Sequence, residues 1–193
     1  MNDQADQHDA VVINDTRRWV QRAVIGLNLC PFAKSVEVKE QVRYVVSHAS
    51  RTKPLLVELK RELLALASAD PAILDTTLLV APDGFEDFLE FNDMLERADK
   101  LLVDLDLDGV LQIASLHPRY QFADTEPDDI TNFTNRAPYP TLHLLREESV
   151  DRAVAAFPHA EAIFETNMQT MQDLGQEGWA ALGVAASVYK DQV

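Results

Sequence analysis

Apolar residues recur along this chain with two different periods, and the alternation between them predicts the fold. In NDTRRWVQRAVIGLNL, Trp19, Val20, Ala23, Val24 and Leu27 fall three and four residues apart, the stripe of an amphipathic helix. Asn14, Asp15 and Thr16 precede it and offer oxygens to cap its amides. Pro31 predicts a stop near Cys30, because a residue before proline is driven away from helical angles. QVRYVVSHA (41–49) is rich in β-branched and aromatic residues and reads as a strand. KPLLVELKRELLALASA returns to the helical period, with Leu56, Leu59, Leu63 and Leu66 on one face. LDTTLLVAP is a second strand, ended by Pro82.

Phe88, Phe91, Leu95, Ala98, Leu102 and Leu105 then mark another helix, with Asp83 and Glu86 ahead of it as capping residues. GVLQIASL (109–116) is a third strand and TLHLLR a fourth, separated by an aperiodic span from His117 to Pro140. EESVDRAVAAF carries acids in its first turn, as a helix dipole prefers. AEAIFETNMQTMQDL and GWAALGVAASVYK predict a helical C-terminal tail. Strand-helix-strand units favour parallel neighbours joined by right-handed crossovers. The expected fold is one α/β domain over residues 14–193, a small mixed or mainly parallel sheet of about four strands with helices packed on it. The direction of the fourth strand is open. Residues 1–13 read as a disordered polar tail.

Composition narrows the partners. Lys and Arg total 17 against 32 Asp and Glu, a formal charge of −15, which repels nucleic acid and anionic membranes at long range. No basic stripe offsets that repulsion locally. A small anionic ligand stays compatible, because a few arginines can reverse the potential inside a cleft. One cysteine in 193 residues forms no internal disulfide, and the N-terminus has neither the basic nor the apolar region of a signal peptide, so a cytoplasmic protein is expected.

In parallel sheets ligands gather outside the carboxyl ends of the strands. His48, Asp83 and His117 fall there, and the long loop starts at the same edge. His117 is the candidate general acid or base, since an imidazole titrates near neutrality. It is weighed against a histidine whose nitrogens merely hold the loop. Arg119 and Arg136 are candidates to clamp a carboxylate or phosphate, against pairing with Asp124, Asp128 or Asp129. Asn135 and His48 complete the candidate ligand-binding set. Cys30 is the candidate nucleophile. As the end of a helix its thiol would be quiet. As the cap of a turn starting at Pro31 it would be activated. A small buried hydrophobe is the third reading. His143 reads as structural, Asp83 as a helix cap, and His8 and His159 carry no assigned role. There is no metal-ligand spacing of the HxxxH, CxxC or EF-hand kind, no glycine-rich nucleotide loop and no serine elbow, so neither metal nor cofactor is named; zinc held by Cys30, His48, His117 and acids brought together only in space is the minor alternative.

The segments NLCPFA, HPRYQF and NRAPYPTLHLLRE resemble a bacterial family known as domain of unknown function 1415. The likeness runs from the first helix to the methionine-containing helix near Met171. It implies a stand-alone cytosolic bacterial protein and brings no reaction, substrate or cofactor. Two functional readings follow from the residues. One is an enzyme or small-molecule-binding protein with an anionic ligand. The other is an interaction protein whose acidic surface docks a partner.

Overall fold

The computed structural model describes residues 3–156 and 162–187. Helix α1 runs Asp3–Trp19 and continues as a π-helical turn, Val20–Ile25. After it come α2 (Ala33–Val38), β1 (Val42–Val46), α3 (Thr52–Ser68), β2 (Thr76–Val80), α4 (Phe88–Asp104) and β3 (Leu111–Leu116). A 3-10 helix at Ile130–Asn135 interrupts the long loop before β4 (Thr141–Arg146), α5 (Glu147–Ala156) and α6 (Ile163–Ala181). Among the described residues no helix is long and apolar enough to cross a membrane.

The sheet order is β1-β2-β4-β3. β1 and β2 are parallel, while β4 runs antiparallel to both β2 and β3. So β1, β2 and β3 share one direction, and β4 is inserted between two strands whose α4 crossover spans it. The single domain is mixed α/β, and the strand direction left open by the sequence is antiparallel.

One face of the sheet is covered by α3 and α4. Leu55, Leu59, Leu63 and Leu66 of α3 and Phe91, Met94, Ala98 and Leu102 of α4 pack with Leu79, Ala81, Leu111, Leu142 and Leu144. Their helical spacing is the reason both helices form with that face inward. Asp87 caps α4, accepting from the amides of Leu89 and Glu90. Asp83, expected in that role, lies a turn too early to reach those amides and sits elsewhere.

The other face lies against the N-terminal helix, with Val12, Trp19, Val20 and Ala23 on Leu78, Val80 and Tyr139. The expected disordered tail is therefore corrected from Asp3 onward. Val12 is fully buried, and burying it orders the turns before it. Asn14, Asp15 and Thr16 consequently lie inside a helix rather than at its start. Asp15, only 2% exposed, accepts from the Tyr139 hydroxyl at 2.8 Å, the Ser187 hydroxyl at 2.8 Å and amide, and Arg18. Burial pushes its carboxyl pKa up, but those donors outweigh it and hold the group below the usual range.

The C-terminal tail also differs from expectation. Helicity ends at Ala181, and Gly183 takes φ 62°, a left-handed angle that terminates helices. Arg18 donates to the Gly183 carbonyl and Arg22 to that of Leu182, while Val184 is buried. Residues 182–187 thus run as a non-helical strap along α1. The rest of the expected helix lies outside the described residues.

Candidate functional site

Three chain segments reach the carboxyl edge of the parallel strands, as the topology requires. His117 ends β3 there, only 1% exposed. Its Nε2 donates to the Phe85 carbonyl at 2.8 Å, and its Nδ1 accepts the Arg119 amide at 2.9 Å. Phe88 and Phe91 stack against the ring, each 5.4 Å away. Burial pushes its pKa down, so the imidazole is neutral with both nitrogens occupied. Phe85 has φ 61°, a costly angle for a bulky residue, and the His117 bond helps to hold it. The geometry is that of the loop-holding histidine rather than of a base open to substrate.

The two arginines are placed differently. Arg136 donates from Nε to the Tyr120 carbonyl at 3.1 Å and from Nη2 to that of Pro127, and its guanidinium lies over Phe133 at 4.2 Å. Arg119 is exposed. Asn132 is fully buried, accepting from the Phe122 amide and the Thr125 hydroxyl while donating to the Glu126 carbonyl. Asp129 caps the 3-10 helix instead of pairing with an arginine. The 117–140 loop is held largely by bonds to its own backbone, and a hollow of about 320 Å³ beside it is lined by Pro118, Phe133, Arg136 and Pro138 together with Trp179 and Val184.

Another hollow lies on the sheet face toward α1. A cavity of about 350 Å³ has Val42, Thr76, Leu78, Gln112, Leu116, His143 and Leu145 on the sheet side. These residues alternate along their strands, and the register puts His143 beside Leu78 and Leu145 beside Thr76. Trp19, Val20 and Val24 form one wall, and Leu29, Cys30, Phe32, Ala33 and Val36 another. Ser149, Val150 and Ala153 of α5, Asn167 of α6 and Asn135 close the rest. The cavity extends from the carboxyl end of β3 at Leu116 to the amino ends of β1 and β2. Of the six expected site residues it gathers Cys30 and Asn135, and leaves out His117, Arg119, Arg136 and His48.

Cys30 neither ends the first helix nor caps α2. It sits in the turns between them, its carbonyl accepting the Ala33 amide at 3.2 Å and its side chain half-buried on the cavity wall. Asn167 holds this segment by donating to the Leu29 carbonyl at 2.8 Å.

His143, which the sequence reads as structural, borders this cavity. Protein surrounds it, and the surface it retains faces the cavity. The Thr76 hydroxyl donates its one hydrogen to the Leu144 carbonyl at 2.6 Å, so at 2.8 Å from His143 it accepts Nε2–H. That fixes the tautomer and leaves Nδ1 as a bare acceptor without a hydrogen-bond partner among the described residues. Burial pushes the pKa of this ring down to about 4, so it is neutral at pH 7. Among the described residues Gln112 makes no side-chain hydrogen bond and the buried Trp19 indole N–H has no acceptor. The signal in the sequence is the alternation of Thr141, His143 and Leu145, which gives the face but not whether that face is filled.

His48 belongs to a different group. Its Nδ1 lies 2.6 Å from Asp83 Oδ2, and that hydrogen bond, opposed by burial, holds its pKa above the ordinary value.

These features define a single-domain mixed α/β protein with one sheet face closed by helices and the other roofed over a pocket partly open to solvent. The chain matches the family described as "Protein of unknown function (DUF1415)" over residues 11–181, and it belongs to that family. No curated protein and no solved structure matches it.

Proposed function

We propose that the protein binds a small, largely apolar molecule carrying one hydrogen-bonding end in the cavity between the sheet and α1. The observation that carries this reading is a cavity of about 350 Å³ that is mostly aliphatic and aromatic yet holds an unspent imidazole nitrogen, a thiol and a free amide. That size and lining are usual for small-molecule sites. His143 accepts a hydroxyl or amide N–H from the ligand through Nδ1. Gln112 and Asn135 supply both donor and acceptor capacity. Apolar walls from Trp19, Val24, Phe32 and Leu145 bury the remainder.

An anionic ligand is the weaker reading. His143 is uncharged at pH 7 and offers no cation. Arg146 lines the cavity, but its Nε and Nη2 already donate to the carbonyls of Leu66, Ala69 and Leu74, and Asp75 stands on the same wall.

The test is thermal unfolding with a panel of neutral probes (indole, cyclohexanol, decanol, hexanamide) beside benzoate and inorganic phosphate. A ligand bound only by the native state raises Tm by mass action. The neutral probes are expected to raise Tm and to protect Cys30 from iodoacetamide, and both effects are expected to vanish in Ala153→Phe, which fills the cavity from α5. Stabilisation by benzoate or phosphate alone supports the anionic ligand. No stabilisation by any probe, with a mass that grows with concentration, supports the interaction protein.

A further inference from the structure

Two loops and a helix bring a second group of side chains together at the carboxyl edge of β1 and β2, apart from the cavity walls. His8 and Asp9 are consecutive on α1, His48 follows β1 and Asp83 follows β2. Because β1 and β2 are parallel neighbours, their following loops emerge side by side. Gly84 allows close contact there: a Cβ on it would sit 2.6 Å from the Ser50 Cα. One nitrogen or oxygen from each of His8, His48 and Asp83 lies within 4.8 Å of the others.

The arrangement differs from a surface ion pair in three respects. His8 Nε2 is buried with no hydrogen-bond partner among the described residues, 3.5 Å from Asp83 Oδ1. Asp83 faces both imidazoles, one oxygen toward each. Asp9 Oδ1 stands behind His48, 3.0 Å from Nε2 though off the hydrogen-bond axis. A carboxylate in that place is the usual outer partner of a metal-ligating histidine, fixing its tautomer and ring direction.

We propose that His8, His48 and Asp83 form a site for a divalent transition metal of the zinc class, with Asp9 as the positioning carboxylate. His8 Nε2, His48 Nδ1 and one Asp83 oxygen are the ligands. Metal–ligand bonds of about 2.0–2.2 Å set tetrahedral ligand atoms roughly 3.3 Å apart. The side chains are 29% to 49% exposed, and the present spacings of 3.5 Å from His8 and 2.6 Å from His48 to Asp83 bracket that value. Two imidazoles and one carboxylate favour zinc, cobalt or iron(II) over calcium and magnesium, which prefer oxygen. Three protein ligands leave a fourth position open for water, the arrangement of zinc sites that activate water or polarise a carbonyl. The spacing of these residues, from position 8 to position 83, matches no linear motif. Only the fold assembles them.

The experiment is titration of the full chain with Co²⁺, followed by displacement with Zn²⁺. One equivalent is expected to bind with the visible absorption of a tetrahedral or five-coordinate site, and Zn²⁺ to abolish it. His8→Ala, His48→Ala and Asp83→Ala are each expected to lose binding by at least about a hundredfold, and Asp9→Asn to weaken it about tenfold to a hundredfold. Circular dichroism and metal-free unfolding of each variant separate lost ligation from lost fold. These side chains are partly exposed, so metal-free stability is expected to match the parent. Absence of saturable binding overturns the proposal, as does equal affinity in the histidine variants. A thiolate-to-cobalt charge-transfer band overturns it as well, since that assigns the metal to Cys30.

Discussion

Acidifying the protein from about pH 7.5 to about pH 5 is expected to destabilise it through His143, and replacing that residue is expected to remove most of the effect. The ring is neutral in the folded state because burial pushes its pKa down to about 4, against 6.5 for a free imidazole. Between those values the unfolded chain binds a proton that the native chain refuses. Stability therefore rises with pH through that window and falls as acid is added. At about 1.36 kcal/mol per pKa unit, the full window is worth about 3 kcal/mol, of which about 2 kcal/mol is lost by pH 5. Urea unfolding at several pH values reads this directly. With a slope near 2 kcal/mol per molar urea, the midpoint falls by about 1 M between the two conditions. His143→Gln retains a donor toward Thr76 and has nothing to titrate, so its midpoint should fall much less. Other depressed groups, His117 and Asp15, are present in both proteins and cancel in the comparison. So do the titratable groups that share the cavity wall, Cys30, Asp75 and Arg146. Parallel midpoint-versus-pH curves for the two proteins would refute the reasoning, showing that water or a neighbouring charge already solvates the imidazolium.

Three further outcomes follow from the packing. Asp15→Ala leaves the Tyr139 hydroxyl, the Ser187 amide and Arg18 without their common acceptor, and is expected to cost about 2–4 kcal/mol in denaturant unfolding. Limited proteolysis of that variant should cut the 182–187 strap earlier than in the parent. Leu59→Ala, at a fully buried position of α3, is expected to cost about 2–5 kcal/mol, with a smaller loss only where the cavity collapses. Asp87→Ala removes the α4 cap and should cost about 1 kcal/mol, whereas Asp83→Ala should leave metal-free stability nearly unchanged. Equal losses for those two aspartates would reverse the capping assignment.

Most polar groups of the long loop are committed to its own backbone, for a physical reason. His117, Arg119 and Arg136 have the residue types of an anion site, but backbone carbonyls compete for the same donors. In a loop that must bury His117 and Asn132, satisfying those carbonyls takes precedence. The small, polar residues read there as chemistry are largely the means by which an irregular segment closes on itself. Cys30 and Asn135 are legible as candidates by type and position, whereas His143, mid-strand on the face of Thr141 and Leu145, reads as structural.

By itself the sequence determined the elements: leucines at helical spacing in α3 and α4, β-branched runs at β1 and β2, and alternation in β4 each carry their period locally. It also determined the family, since that rests on residue identity. Only the tertiary structure decided that β4 enters antiparallel between β2 and β3, that residues 3–13 are helical, and that His143 borders a hollow. The same is true of the meeting of His8, His48 and Asp83. Periodicity records which side of an element is apolar. It does not record what lies opposite, and both strand order and side-chain convergence are set by contacts between residues far apart in the chain.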